Sequence, residues 1–255
     1  MDSARPSCRP TGSKLPAAGH VHVWRVRLHE SDAPGDVALL SKEEQDRAAR
    51  FLSEAARRRF VVGRVALRTL LAYYMGVTSS ALRLLIAAQG KPTLAAPQTD
   101  PPLHFNLSHS DHLVVQAFAV GRPVGIDVEV ATPLSDLEAV AARFFAHAEV
   151  TALAALPPAQ RGFAFYRIWT RKEAWIKLRG GGLAIPLASF SVSAGEQAAL
   201  LAVDGVADAG RRWALVDLSA EMGAPAALAV EGAAPQVDFF EYPADLARQS
   251  SISME

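Results

Sequence analysis

The chain has 255 residues, of which half are hydrophobic and a fifth are charged. Its 26 lysines and arginines balance its 26 aspartates and glutamates, which argues against a protein that binds a polyanion through its overall charge. The single cysteine, Cys8, excludes an internal disulfide framework and a metal site built from several thiolates. No secretory signal and no apolar run of about 18 residues is visible, so we expect a cytoplasmic protein without a membrane partner.

The first elements are predicted from local patterns. Residues 1–19 lack periodicity and are expected to form a loose N-terminal arm. HVHVWRVRL (20–28) alternates apolar and polar side chains with a slip at Trp24, which predicts a first strand, with a bulge as one explanation of the slip. Ser41 and Glu44 form a capping box, in which each side chain bonds the other residue's backbone N–H, and predict the start of a helix.

The rest of the chain divides into helices and strands in an order that repeats. A second helix is predicted from Ser53 to Tyr74, before Gly76, and strands follow at 83–87, 103–110, 113–120 and 124–130. A second capping box, Ser135 with Glu138, predicts a helix through 144–145, and a long helix is predicted over 160–179. Further strands are predicted near 187–193, 198–203, 211–217 and 225–230, and the residues from about 236 are expected to be peripheral.

This order predicts an α+β fold with two similar α/β halves. We place the first half at 20–121 and the second at 122–240, between the arm at 1–19 and a C-terminal tail at 241–255. The division depends on the order of the elements, since the two halves share no literal sequence repeat.

Two carboxylates on the strand at 124–130 are the first candidate site residues. Asp127 and Glu129 are two residues apart, so on a strand they share a face roughly 6.5–7 Å apart. A hard cation such as Mg²⁺, which prefers oxygen ligands, would relieve their repulsion. The exposed acidic face of an edge strand is the alternative without a ligand.

The long helix adds a third carboxylate and a cation. Trp169, Glu173 and Lys177 follow at steps of four residues and share one helix face. A surface Glu–Lys ion pair would explain the same spacing. Together with the acidic pair, however, Glu173 and Lys177 suit a magnesium site beside a phosphate, as in phosphoryl-type transfer.

Basic and hydroxyl side chains supply candidate phosphate contacts. Ser108 and His109 end a strand, and Lys91 follows a predicted turn. Zinc on His104, His109 and His112 is disfavoured, because alternation separates the first two and no cysteine assists. The helices of the first half also carry a basic series, which a solvated charged face would explain: Arg47, Arg50, Arg57, Arg58, Arg59, Arg64 and Arg68. Zero net charge and the lack of interleaved aromatic residues argue against nucleic acid as a partner.

Taken together, these segments resemble the 4′-phosphopantetheinyl transferases of the long, surfactin-synthetase-activating type. The matching motifs occur in the order of the family and cover about residues 20–235: SKEEQDRAARF (41–51), QGKP (89–92), FNLSHS (105–110), VGIDVE (124–129), RFF (143–145) with Glu149, and FYRIWTRKEAWIKLRGGGL (165–183). The combination of G-I-D-x-E with W-x-x-K-E-A-x-x-K is the most specific of these signals.

The resemblance implies two pseudo-symmetric halves, a monomer, and an active site between the halves that holds coenzyme A as co-substrate. It implies transfer of phosphopantetheine to a serine hydroxyl of an apo carrier protein for acyl, polyketide or peptidyl chains, with release of 3′,5′-ADP. The implied ligands of Mg²⁺, or of Mn²⁺, are Asp127, Glu129 and Glu173. The implied catalytic residues are Glu173 and Lys177, and the implied contacts of coenzyme A are Arg47, Arg59, Lys91, Pro92, Ser108, His109 and Lys177.

Several alternatives stay open at this point. Glu44 stands where related proteins often have a basic residue, which leaves the neutralisation of the 3′-phosphate undecided. Either Glu173 or a water on the metal could accept the serine proton. A Mg-dependent phosphohydrolase of a small nucleotide and a non-catalytic protein that binds coenzyme A or a carrier are the competing functions. The pathway of the carrier is undetermined.

Overall fold

The computed structural model of the chain describes residues 14–28, 37–87, 91–95, 99–206 and 208–242. The predictions for residues 1–13, for Gln89-Gly90 and for the tail from residue 243 lie outside the described residues. The helices are α1 (Lys42–Ala49), α2 (Glu54–Met75), α3 (Leu137–Phe144), α4 (His147–Ala154), α5 (Pro158–Arg179), α6 (Ala209–Arg212) and α7 (Ser219–Met222). The strands are β1 (His20–Arg27), β2 (Leu84–Ile86), β3 (Pro92–Leu94), β4 (Leu103–Ser110), β5 (Leu113–Val120), β6 (Val124–Val128), β7 (Phe190–Val192), β8 (Leu200–Val203), β9 (Trp213–Asp217), β10 (Ala226–Glu231) and β11 (Gln236–Glu241).

The layers of the fold run from α2 through two sheets to α5. The first sheet has the strand order β11-β1-β5-β4, and the second has the order β6-β10-β9. One apolar cluster packs α2 against the first sheet, a second joins the two sheets, and a third packs α5 against the second sheet. The predicted α+β fold is confirmed.

The slip at Trp24 is not a bulge. Strand β1 pairs in unbroken register with β5 on one side and β11 on the other. Val23 faces the cluster between the sheets, whereas Trp24 faces the cluster under α2, and both side chains are buried. The strand is covered on both faces, so its apolar residues need not alternate strictly.

The local signals at the ends of the first two helices are confirmed. The Ser41 hydroxyl accepts from the Glu44 N–H at 3.3 Å, and the Glu44 carboxylate accepts from the Ser41 N–H at 2.9 Å. Ser53 caps α2, and Gly76 ends it with φ of 64°, a left-handed conformation that glycine adopts without a steric penalty.

The second capping box is wrong. Helix α3 begins at Leu137 after Asp136, and no side chain caps its first turn. Glu138 instead pairs with Arg161 of α5 at 2.7 Å. Glu138 therefore forms an ion pair between α3 and α5 instead of capping α3.

The residues from about 236, which were expected to be peripheral, lie at the edge of the first sheet but form a strand that the sequence analysis did not predict. Strand β11 pairs in parallel with β1, with His20 opposite Gln236 and Arg25 opposite Glu241. His20 Nδ1 lies 2.8 Å from the Asp238 carboxylate across this pair. The chain thus returns from the second sheet to complete the first sheet.

Among the described residues, no helix has the length and the apolar composition that spanning a membrane requires.

Candidate active site

A cavity of about 720 Å³ opens where α1, α2, β3, β4, β6 and α5 meet. The structure brings together in its lining all ten residues predicted as site residues: Arg47, Arg59, Lys91, Pro92, Ser108, His109, Asp127, Glu129, Glu173 and Lys177. The lining also includes residues that were not among them: Phe60, Gly63, Arg64, Asn106, Leu107, Trp169, Ile176, Gly180 and Gly182. The roles of the ten residues remain predictions.

The polar face of β4 joins the two sheets along one side of the cavity. The Asn106 side-chain oxygen accepts from the Ile126 N–H at 2.9 Å. Two residues further along β4, on the same face of the strand, the Ser108 hydroxyl donates to Asp127 Oδ1 at 2.7 Å. Alternation on β4 therefore places hydrogen-bonding groups opposite β6 and fixes the position of Asp127.

Ser110 makes the last contact of this series. Its hydroxyl donates to Glu129 Oε2 at 2.7 Å and accepts from the Val130 N–H at 3.0 Å. Glu129 lies just beyond the end of β6, where its N–H donates to the Pro225 carbonyl oxygen at 2.9 Å and Ser110 holds its side chain. The exposed edge considered from the sequence does not describe Asp127, which is only 3% exposed.

The long helix brings its functional face to the same place. Lys177 Nζ lies 2.6 Å from Asp127 Oδ1 and 2.8 Å from the Ser108 hydroxyl. Glu173 and Trp169, one and two turns earlier, line the cavity as their spacing predicts. The surface ion pair considered from the sequence is thus replaced by a pairing of Lys177 with the buried Asp127.

The carboxylates repel one another electrostatically. Burial raises the pKa of Glu173, the charge of Asp127 and Glu129 raises it further, and Lys177 opposes these effects. Burial also raises the pKa of Glu129, while the hydrogen bond from Ser110 lowers it. A site that collects negative charge in this way is suited to a cation.

The residues present fit a magnesium ion by their chemistry. Asp127 Oδ2 is buried without a hydrogen-bond partner, and a carboxylate oxygen left in this state is costly unless it has a ligand. Glu129 and Glu173 offer further oxygens in the same cavity. Among the described residues, however, no three His, Cys, Asp or Glu side chains are grouped so that they could bind one metal ion. The metal site therefore remains a prediction.

Cations line the rest of the cavity in two groups. Lys91 Nζ donates to the Lys177 carbonyl oxygen at 2.9 Å, and burial and Lys177 lower the pKa of Lys91. On the side of α2, Arg59 donates to the Asp111 carbonyl oxygen at 3.2 Å. His109 also lines the cavity, and burial, Arg59 and Lys177 all lower its pKa.

Glu44 has the structural task that its capping box predicts, and a second one. Its Oε2 accepts from Arg68 Nε at 2.6 Å, and Arg68 also donates to the Ser79 carbonyl oxygen at 3.0 Å. Arg64 and Arg68 are 5% and 3% exposed, so the solvated face does not describe them. Arg64 follows Phe60 by four residues, so the sequence places the two side chains on one face of α2.

Comparisons with known proteins agree with the motifs. Residues 24–120 match the family described as 4′-phosphopantetheinyl transferase, N-terminal, and residues 123–230 match the 4′-phosphopantetheinyl transferase superfamily. The chain is 37% identical over 225 residues to the 4′-phosphopantetheinyl transferase HetI of Nostoc sp., covering 87% of this chain and 92% of HetI. It is 36% identical over 156 residues to the 4′-phosphopantetheinyl transferase Sfp of Bacillus subtilis, covering 61% of this chain and 67% of Sfp. It is 40% identical over 98 residues to the 4′-phosphopantetheinyl transferase AcpT of Salmonella typhimurium, covering 38% of this chain and 50% of AcpT.

Proposed function

The chain belongs to the 4′-phosphopantetheinyl transferase family, and from that premise we propose that the cavity between its halves is where phosphopantetheine passes from coenzyme A to a carrier protein. The family implies the enzyme class, coenzyme A as co-substrate and a carrier protein as acceptor. One observation carries the assignment to this cavity, namely that ten residues chosen from sequence motifs line it together. A volume of about 720 Å³ also lies within the range usual for small-molecule and cofactor sites.

In the reaction we propose, the serine oxygen of the acceptor forms a bond to the phosphorus that bears the pantetheine arm. The bond from that phosphorus to the bridging oxygen of the diphosphate breaks, and 3′,5′-ADP leaves. Glu173 accepts the proton of the serine hydroxyl. Lys177, which is held by Asp127 and Ser108, lies where it can offset the charge that develops on the phosphate oxygens.

Asp127, Glu129 and Glu173 are the residues that would hold Mg²⁺ or Mn²⁺. When bound, a divalent ion would neutralise diphosphate charge in the transition state. Ser108 and Ser110 keep two of these carboxylates in place through hydrogen bonds of 2.7 Å. We propose that a monomer is sufficient, because one chain supplies every element that lines the cavity.

The test is incubation of the protein with coenzyme A, Mg²⁺ and a panel of apo carrier proteins, followed by intact-mass measurement of each carrier. We expect a carrier to gain the mass of one phosphopantetheine arm. Glu173→Gln should lower the rate by roughly a hundredfold or more, in line with loss of a general base. Glu138→Gln is the matched control, since Glu138 is exposed, pairs with Arg161 and is not among the residues described as lining the cavity.

The competing functions give different results in the same assay. A phosphohydrolase would consume coenzyme A at the same rate without a carrier. A non-catalytic binding protein would retain coenzyme A without turnover, and Glu173→Gln would change nothing. The absence of a mass gain on every carrier would refute the proposed function.

A further inference from the structure

The cations of the cavity form two groups that match the two anionic parts of coenzyme A. Lys177 and Lys91 lie beside the carboxylates, where we propose that the diphosphate binds. Arg47, Arg59 and Arg64 line the cavity on the side of α1 and α2. Coenzyme A carries a phosphomonoester on its ribose in addition to the diphosphate, so a second cationic group has an anion to bind.

The position of Arg64 on α2 places it in this second group of cations. Phe60, Gly63 and Arg64 stand at positions i, i+3 and i+4 of α2, and all three line the cavity. The Arg64 guanidinium lies 5.4 Å from the centre of the Phe60 ring, and the Arg47 guanidinium lies 5.2 Å from the same ring. One aromatic ring thus holds two guanidinium groups close together.

The protein's own groups do not balance the charge of Arg64. Glu44 is the carboxylate shared by Arg64 and Arg68, and its Oε2 is taken by Arg68 at 2.6 Å. Arg64 Nε lies 3.6 Å from Glu44 Oε1, which is too long for a hydrogen bond, and Oε1 has no hydrogen-bond partner. Arg64 Nη1 is likewise buried without a partner, although Arg64 is only 5% exposed.

A buried guanidinium with an unused donor is costly unless a ligand completes its hydrogen bonds. Burial, together with the charges of Arg47 and Arg68, also lowers the pKa of Arg64, whereas Glu44 opposes this effect. A phosphomonoester, with close to two negative charges at neutral pH, would supply both the charge and the acceptors that are missing.

We infer that Arg64 binds the 3′-phosphate of coenzyme A and makes the enzyme prefer coenzyme A to 3′-dephospho-coenzyme A. This inference rests on the proposed function, because it takes coenzyme A as the ligand of the cavity. It also explains how the chain accommodates Glu44 on α1: the carboxylate caps the helix and binds Arg68, and Arg64 brings a cation to the cavity instead.

The experiment compares ligands with and without the 3′-phosphate. The dissociation constants of adenosine 3′,5′-bisphosphate and adenosine 5′-monophosphate are measured by calorimetry for the wild type and for Arg64→Gln. The ratio of kcat/KM for coenzyme A to that for 3′-dephospho-coenzyme A is measured with one carrier. We expect Arg64→Gln to weaken the bisphosphate roughly tenfold to hundredfold, to leave the monophosphate within about twofold, and to lower the kcat/KM ratio by a similar factor.

Arg57→Gln is the control for the loss of a cation from α2. Arg57 pairs with Glu54 at 2.7 Å and is not among the residues described as lining the cavity. We expect this variant to change neither ratio between ligands. Arg64→Lys, which keeps the charge, covers the case in which Arg64→Gln does not fold, and its loss in bisphosphate affinity should fall between those of the wild type and a neutral variant.

Three outcomes would overturn the inference: equal weakening of both nucleotides in a folded Arg64 variant, an unchanged kcat/KM ratio, or a wild type that binds both nucleotides equally. A wild type that transfers nothing to any carrier would refute the proposed function instead. The calorimetric comparison would then still decide whether Arg64 recognises the 3′-phosphate.

Discussion

Gly125 on β6 determines how closely α5 approaches the second sheet. A Cβ at this position would collide with the Ala174 carbonyl oxygen and the Leu178 backbone nitrogen, and it would lie 3.0 Å from the Leu178 Cα. These are backbone atoms of α5, so no side chain can rotate away to make room. The same helix carries Glu173 and Lys177, and Lys177 reaches the Ile126 carbonyl oxygen at 3.3 Å. Gly125→Ala should therefore disturb both stability and the active site.

The expected magnitude follows from the overlap. Ordinary van der Waals contact requires α5 to move away from β6 by about 1 Å. Overpacking of this kind destabilises a protein by about 1–3 kcal/mol. A displacement of about 1 Å in the position of catalytic groups can cost about a hundredfold in rate. We expect Gly125→Ala to show both effects, a lower free energy of unfolding and about a hundredfold lower kcat/KM.

Gly162 in α5 provides the matched control for this substitution. No atom lies within 4 Å of a Cβ at this position, so Gly162→Ala should stabilise the helix by about 0.5–1 kcal/mol. Chemical unfolding and the carrier-modification assay are carried out on both variants. If Gly125→Ala keeps the activity and stability of the wild type, the close approach of α5 to β6 is not the reason why position 125 is a glycine.

Three further predictions concern buried polar groups. Burial lowers the pKa of His22 from 6.5 to about 4, so the unfolded chain gains a proton before the folded chain does. The free energy of unfolding should be unaffected by this group above pH 6.5 and should fall by about 3 kcal/mol as the pH drops to 4, a loss that His22→Gln should remove in denaturant titrations. Lys172 and Glu149 form an ion pair of 2.9 Å with at most 1% exposure, so Lys172→Met should cost about 3–5 kcal/mol, and Lys172→Met with Glu149→Leu should recover part of it. Ser110→Ala removes two hydrogen bonds next to Glu129 and should cost about 1–3 kcal/mol in chemical unfolding.

Each of these predictions has a contrary result. A wild-type stability that is constant between pH 6.5 and 4 would contradict the lowered pKa of His22. A double variant at Lys172 and Glu149 that is less stable than Lys172→Met would contradict the cost of the unpaired carboxylate. Unchanged stability of Ser110→Ala would mean that water replaces both hydrogen bonds.

Structural features that depend only on residues close together in the chain could be predicted from the sequence. The capping box of Ser41 and Glu44 and the left-handed Gly76 need only their neighbours in the chain, and both are found as predicted. Spacing on a strand and on a helix singled out the carboxylates and Lys177 of the candidate site, whereas Arg47, Arg59 and Pro92 were candidates only through the resemblance to the family. Asp127 and Glu173 come together through the packing of α5 on β6, which the spacing on each element alone does not reveal.

Structural features that depend on residues far apart in the chain could not be predicted from the sequence. Val237 and Phe239 alternate with polar residues as a strand would, but their partner β1 is more than 200 residues earlier in the chain. The slip at Trp24 has a similar origin, since only the tertiary structure reveals that layers cover both faces of β1. For Arg64, the helix period indicates a face but not that this face is buried against a cavity.

The parallel pairing of β11 with β1 affects the order in which the protein can fold during synthesis. Residues 20–120 leave the ribosome early with strands β1, β5 and β4, but the outer side of β1 stays unpaired until residues 236–241 have emerged. An open strand edge can pair with another nascent chain, so the interval between these events is when the protein is most prone to aggregate. Slower translation of the second half would lengthen that interval, and a chaperone that covers strand edges would protect the chain until the sheet is closed.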